Sequence, residues 1–296
     1  MLFRKTPAFA GLAVRHGQLS LMKLKQIKKD IMIEGFASAN VPSGSLSGSE
    51  TLYLVIKELM EAVDAKNCHA ALALPASHVI NKSIRVASCL NDKERDAEIR
   101  ANMNDYLPGT DGSLYFDFVP MEQHENDIEL QLIAARSLYV ETYLRAGDMA
   151  GLKIKIVDVD VYAIARAIYF ILPQNKRAES CVILDIDFSS AQLILLKNGK
   201  IISIYPVSLE IEDLFFQQIK RGIQFFSTIE KNIKKIILTG DLSRLEQLKS
   251  VLEKILPISV SYLNYFKQVS ANPDFNLKND SKYLLAFGLA LRGVYE

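Results

Sequence analysis

Residues 180–205 constrain this chain more than any other stretch: Ser-Cys-Val-Ile-Leu-Asp-Ile-Asp-Phe-Ser-Ser-Ala-Gln-Leu-Ile-Leu-Leu-Lys-Asn-Gly-Lys-Ile-Ile-Ser-Ile-Tyr. An apolar run ends at Asp185, and a polar turn follows with Asp187, Ser189 and Ser190. A second run, Gln192 to Leu196, leads through Asn198-Gly199 into a third, Ile201 to Tyr205. Asn-Gly between apolar runs is the strongest short hairpin signal, because both residues tolerate the positive φ of a tight turn. The stretch therefore reads as an antiparallel meander whose first turn carries an acid and small hydroxyl residues.

A similar opening stands near the start. Residues 10–36 read as a hairpin or meander, with turns at Gly17 and at Lys28-Lys29-Asp30. Each opening is followed by helix and strand patterns. Residues 42–50 form a loop, Glu50 to Asp64 repeats apolar residues at helical spacing, and Ala70 to Leu74 is a short buried strand stopped by Pro75. Residues 76–156 read as an inserted α+β unit. Its helix opens on Asn91 and Glu94 as a capping box, carries Ile99, Met103, Tyr106 and Leu107 on one face, and stops at Pro108. Strands are expected at Ile80 to Val86, Leu114 to Val119, Ile128 to Ala134 and Lys153 to Val159, and helices at Ser137 to Met149 and Asp160 to Leu172. The polar linker Pro173 to Glu179 divides the chain into residues 1–173 and 174–296. In the second half, Glu212 to Lys231 is one helix, Lys235 to Thr239 a strand before Gly240, and Lys282 to Leu291 a closing helix, with residues 267–281 loop-like.

Composition narrows the function classes. With 35 basic against 34 acidic side chains there is no broad positive field, which argues against nucleic-acid binding. Lys23, Lys25, Lys28 and Lys29 form a local basic cluster, read as a solvated hairpin tip in preference to a membrane-surface patch. Three cysteines without paired spacing fit neither a disulfide framework nor a zinc site, and suit a reducing cytoplasm. No signal peptide is expected at the N-terminus, and no run approaches the ~18 apolar residues of a spanning helix.

Strand–turn–strand openings with an acid and hydroxyls at the turn are how the actin/Hsp70/sugar-kinase ATPases build phosphate-binding turns. Further segments narrow the resemblance: Ala71-Leu72-Ala73-Leu74-Pro75, Tyr106-Leu107-Pro108, Ala134-Ala135-Arg136, Ala146-Gly147 with Gly151-Leu152-Lys153, Val157-Asp158-Val159-Asp160, and the closing Ala286-Phe287-Gly288-Leu289-Ala290-Leu291-Arg292-Gly293. In this order they resemble the PilM family, the cytoplasmic actin-like proteins of type IV pilus assembly, which is similar to the cell-division protein FtsA. The resemblance implies an α/β, two-lobed actin-like fold with an inserted subdomain in the first lobe; the stretch between Tyr205 and Lys235, shorter than the family's, points to a reduced outer subdomain in the second. It implies ATP held between the lobes and, as partners, the cytoplasmic tail of a PilN-like inner-membrane protein and pilus motor or platform proteins. It also implies a cytoplasmic place at the inner membrane, reached only through partners.

The chain departs from that pattern where nucleotide would bind. The family's first turn reads approximately Gly-Ile-Asp-Ile-Gly-Ser; here stand Gly11, Leu12, Ala13, Val14, Arg15 and His16. The second keeps Asp185, Ser189 and Ser190 but has Asp187 for glycine, and the late turn is Thr239-Gly240-Asp241. A carboxylate ~4 Å from a phosphate charge opposes it by roughly 4 kcal/mol at an effective dielectric near 20, which is about the whole binding free energy of a millimolar ligand. Asp185, Ser189, Ser190 and Gly240 are thus expected as a vestigial cofactor site, with at most weak ATP and Mg²⁺ binding and no catalysis. Arg15 and Asp187, on opposing turns, either pair across the cleft or turn away, Arg15 to solvent and Asp187 to cap its own turn. Asp158 and Asp160 point the same way on a strand, open to acid–base or Mg²⁺ chemistry, while Asp160 also suits the start of the next helix. The scattered histidines, and adjacent Cys68-His69 with diverging side chains, offer no metal site. For the partner, Ile80, Met103, Tyr106 and Leu107 are expected to border a groove between the inserted unit and the first lobe that an extended apolar peptide would fill, although each also suits the core of a small unit. The expected function is a docking scaffold. The rivals are an active actin-like ATPase and the scaffold of a related secretion or pseudopilus system. A monomer or a small ring supported by partners is expected, not a filament.

Overall fold

The computed structural model describes residues 8–15, 17–28, 30–41, 48–66, 68–110, 112–187, 190–209, 212–240, 242–262, 269–271 and 283–295. Met1–Ala73 with Ala146–Glu296 form one compact unit and Leu74–Arg145 a second.

In the larger unit, β1 (Phe9–Arg15), β2 (Gln18–Ile27) and β3 (Asp30–Asn40) form an antiparallel meander. After α1 (Ser49–Ala62), β4 (His69–Leu74) returns parallel to β1. β8 (Lys153–Val159) lies beside β4 and leads into α5 (Asp160–Ile171). The second half repeats the order. β9 (Cys181–Ile186), β10 (Ser190–Lys197) and β11 (Lys200–Ser208) form a meander, then α6 (Glu212–Ile229), β12 (Lys235–Gly240), α7 (Leu242–Ile255) and β13 (Ser259–Tyr262) follow. One sheet runs β3-β2-β1-β4-β8 and the other β11-β10-β9-β12-β13, the same pattern twice. This is the mixed α/β, actin-like architecture expected from the two openings. Between Tyr205 and Lys235 the described residues hold the end of β11 and the single helix α6.

β9, Cys-Val-Ile-Leu-Asp-Ile, is buried at every position, as a strand covered on both faces must be. α6 packs Phe215, Ile219, Ile223 and Phe226 onto that sheet with Leu193, Leu195, Ile236 and Leu238. The Asn198-Gly199 turn has positive φ at both residues, as the hairpin requires. One expectation changes: part of the stretch read as loop, β14 (Ser270–Ala271), pairs with β3 and extends the first sheet. The free edge of β3 offers it unpaired backbone groups.

The last helix, α8 (Leu284–Tyr295), packs on β1, β2 and α5, with every residue from Leu284 to Leu291 buried. Only glycine fits where it crosses α5: a Cβ on Gly288 would lie 1.9 Å from the carbonyl oxygen of Ala163. A charged node secures the crossing. Asp158, 5% exposed at the end of β8, meets Arg166 of α5 at 3.0 Å and Arg292 of α8 at 3.1 Å. Arg166 Nη1 also donates to the Gly288 carbonyl at 3.0 Å. Asp158 is therefore held by two arginines, not presented with Asp160 as an acid–base pair. Asp160 is the first residue of α5, and its Oδ1 accepts the Val161 N–H at 2.7 Å.

The smaller unit has its own sheet, ordered β5-β7-β6, from β5 (Val79–Ala87), β6 (Leu114–Gln123) and β7 (Asp127–Arg136). Its core gathers Ile84, Val86, Ile99, Leu107, Ile128, Leu130, Leu132 and Ala134. The capping box forms: Asn91 Oδ1 accepts from the N–H of Lys93 and Glu94, and Glu94 accepts the Asn91 N–H. The expected single helix is instead two, α2 (Asp92–Ala101) and α3 (Met103–Tyr106). At Asn102, ψ rises to 24°, and the side-chain amide donates to the Glu98 carbonyl and carboxylate, a local bond that competes with helix continuation. α4 (Ser137–Ala150) begins in this unit and ends in the larger one. Among the described residues no helix is long and apolar enough to cross a membrane.

Two outcomes follow. Asp158→Asn should lower the unfolding free energy by about 2–3 kcal/mol in a denaturant titration. That is below the cost of breaking a fully enclosed pair, because both arginines are 29% exposed. Among the thiols, Cys68 and Cys181 are buried and Cys89 is exposed. Burial pushes the Cys181 thiol up to about 11. A maleimide should label Cys89 in the native protein and the other two only after denaturation, read by mass spectrometry.

Candidate functional site

Two strands at equivalent places in the two sheets, β1 and β9, end on charged residues. Arg15 closes β1; Asp185 is the next-to-last residue of β9. Arg15 Nη2 donates to Asp185 Oδ2 at 2.6 Å and Nη1 to Oδ1 at 3.1 Å, a two-point guanidinium–carboxylate pair. The two side chains are 18% and 3% exposed. Gln192, opposite Asp185 in the β9–β10 register, donates its Nε2 to Oδ2 at 3.2 Å. Burial works most strongly against the Arg15 charge, but the attraction of Asp185, with that of Asp187 and Asp160 added, prevails, and the Arg15 guanidinium holds its proton more tightly than usual.

The pairing across the turns thus forms, with a shift of partner: both guanidinium bonds go to Asp185, while Asp187 acts on Arg15 through its charge. The expectation placed Asp187 opposite because it stands where a turn glycine was looked for. Asp185, on the strand itself, has the geometry that a planar fork requires. Gln192 escaped notice. The hairpin register was the signal that could have found it, since it puts Gln192 directly beside Asp185.

Ala13, where an acid was looked for, is 3% exposed within β1 and carries no charge. Ser190 opens β10 opposite Ser208; Ser189, His16 and Asp241 lie outside the described residues. Gly240 ends β12, paired with Ile186 at φ +104°. A Cβ there would sit 1.8 Å from the Ile186 carbonyl oxygen, so the close approach of β12 to β9 by itself requires glycine.

The residues expected to meet a partner all belong to the smaller unit. Leu107 is buried in its core, and Ile80, Met103 and Tyr106 are partly buried against it. Met103 also lines a pocket of about 360 Å³ with Arg100, Asn104, Thr110, Leu114 and Phe116. The Arg100 guanidinium stacks 4.6 Å from the Phe116 ring and is held by both carboxylate oxygens of Asp96.

Two other clusters of charged side chains lie away from this junction. Lys23 and Lys25 share one carboxylate, Glu34, at 3.3 and 2.9 Å, which offsets one of their two charges. Glu122, His124 and Glu129 bring ligand atoms within 4.8 Å of one another. Glu129 already accepts from Ser83 and lies opposite Arg85 in the sheet.

Comparison with known proteins places this architecture. A solved "PilM-PilN type IV pilus biogenesis complex" matches with a TM-score of 0.80 at 22% identity, over 96% of this chain and 98% of that one. The cytoplasmic domain of EpsL, an inner-membrane component of the type II secretion system of Vibrio cholerae, matches at TM-score 0.52 and 11% identity, over 96% and 95%. A Bacteroides thetaiotaomicron protein with actin-like ATPase fold and unknown function matches at 0.54 and 9%, over 89% and 94%. These likenesses fix the fold. The family model described as type IV pilus assembly protein PilM matches residues 11–205 and 211–294, nearly the whole chain, and the protein belongs to that family.

Proposed function

We propose that this protein is a cytoplasmic docking scaffold of type IV pilus assembly, held at the inner membrane by gripping the cytoplasmic tail of a PilN-like membrane protein. The observation that carries the reading is the family match, which spans both repeated sheets and the inserted unit. The solved relative in complex with PilN supports the kind of partner. In this reading residues 1–173 and 174–296 are the two lobes. The exposed parts of Met103 and Tyr106, beside the pocket of the smaller unit, take apolar side chains of the tail, while Leu107 supports them from beneath.

The scaffold works without turning over nucleotide. A fold of this class places a triphosphate and Mg²⁺ at the ends of β1 and β9. The residues there do not fit that pair: Asp185 is bonded to Arg15, and β1 offers Ala13 in place of an acid. Asp185, Ser189, Ser190 and Gly240 are then remnants of a cofactor site.

The test is a calorimetric titration of the full chain with a synthetic peptide of the cytoplasmic tail of its PilN-like neighbour. Saturable binding at micromolar affinity is expected. Met103→Asp should weaken it about tenfold or more with an unchanged circular dichroism spectrum. No binding by the wild-type chain would refute the docking role.

A further inference from the structure

We propose that the end of the β6–β7 hairpin binds a divalent transition-metal ion, Zn²⁺ by the chemistry of its donors, through Glu122, His124 and Glu129. The site is separate from the Arg15–Asp185 junction, and nothing in the docking reading depends on it.

The strand register builds the site. β6 and β7 pair regularly as far as Pro120 opposite Leu130; the pairing then slips by one residue, so that Glu122, and not Met121, faces Glu129. Without the slip, Glu122 and His124 would fall on the face of the core residues Ile128 and Leu130. With it they stand on the opposite face, beside Glu129. A bulge that re-aims side chains in this way is a built feature of a hairpin. On the next rung the His124 N–H donates to the Asp127 carbonyl at 2.8 Å. Two adjacent rungs therefore carry Glu122 with Glu129 and His124 with Asp127, all on one face. Ligand atoms of Glu122, His124 and Glu129 lie within 4.8 Å of one another. Small rotations of these side chains bring them to the ~2.0–2.2 Å bonds that Zn²⁺ makes to nitrogen and oxygen. The spacing around His124 shows no such set, because Glu129 joins it only across the turn.

The charges call for a cation. Two carboxylates directly opposite each other on neighbouring strands repel. Asp127 Oδ1, on the second rung, is shielded from solvent and has no hydrogen-bond partner among the described residues, which leaves a desolvated oxygen without compensation. Arg85, opposite Glu129 on β5, brings one positive charge against three acids. Ser83 Oγ donates to Glu129 Oε1, and a hydrogen bond of that kind is what orients a ligating carboxylate. The imidazole nitrogen favours Zn²⁺ over Mg²⁺ or Ca²⁺, which take oxygen ligands. An ion here would clasp β6 to β7 where their ladder ends and offset the repulsion between Glu122 and Glu129.

The experiment is a calorimetric titration of the full-length chain with ZnCl₂, in the Cys89→Ser background so that the exposed thiol does not compete for the ion. One ion per chain should bind with micromolar affinity. His124→Ala and Glu122→Gln should each weaken binding by about tenfold or more. Both side chains are exposed, so both variants should keep the circular dichroism spectrum of the parent. Hydrogen exchange read by mass spectrometry should slow in residues 122–129 when ZnCl₂ is added. Absence of saturable binding below about 100 μM Zn²⁺ overturns the site. So does binding that either variant leaves unchanged, or that leaves exchange in residues 122–129 unchanged. Each of these results leaves the docking reading standing.

Discussion

The first sheet of the larger unit depends on how closely α5 and α8 can cross. Gly288 lies against the backbone of Ala163 with no room for a methyl group, and the eight buried residues from Leu284 to Leu291 turn that contact into a continuous apolar seam. Close packing of this kind tolerates no added volume, since interiors are as dense as organic crystals. The charged node at Asp158 sits on the same crossing. Its carboxylate has left water for two arginines, one from each helix, and Arg166 also satisfies the Gly288 carbonyl. The seam supplies the apolar contact, and the node fixes which turn of one helix meets which turn of the other.

The second junction, Arg15 with Asp185, works on different terms. A bidentate guanidinium pair is strong when its carboxylate is enclosed, yet little of that strength is net stability, because both groups give up hydration. What the pair does supply is orientation. A planar fork accepts a narrow range of angles, so the ends of β1 and β9 are held in one relation. The same β1 that ends on Arg15 packs its other residues against α8. Seam and fork therefore act on one strand, which makes β1 one of the pieces through which the two sheets are coupled, beside the contact of α5 with β11.

Much of this was legible in the residues. The Asn198-Gly199 turn, the buried run of β9, the capping box at Asn91 and the closing helix each rest on a local rule that tertiary structure had no reason to override. The site was harder. The two openings left Arg15 either paired across the turns or turned to solvent, and the choice of Asp185 depends on side-chain reach, which no spacing encodes. Gly240 showed the opposite problem: the sequence marked it as a cradle residue, and a neighbouring strand is reason enough for it. The helix break at Asn102 was missed because the apolar spacing of Ile99, Met103 and Leu107 continues through it, while the Asn102 amide bonds back to Glu98. β14 was invisible for a simpler reason: a two-residue strand has no periodicity to read.

The placement of α8 has a consequence for how this chain is born. β1 is residues 9–15, yet the helix that covers it is residues 284–295, so most of the 296 residues are made between the two. Until that helix emerges, the first sheet lacks the cover for one of its faces, and β14 has only just reached the edge of β3. Contacts spanning most of the chain are slow to form and leave apolar surface waiting. The smaller unit, whose strands are close neighbours in sequence, faces no such delay. Synthesis would then yield an early-folded insert attached to a first lobe that stays unfinished, and open to chaperones, until α8 has emerged.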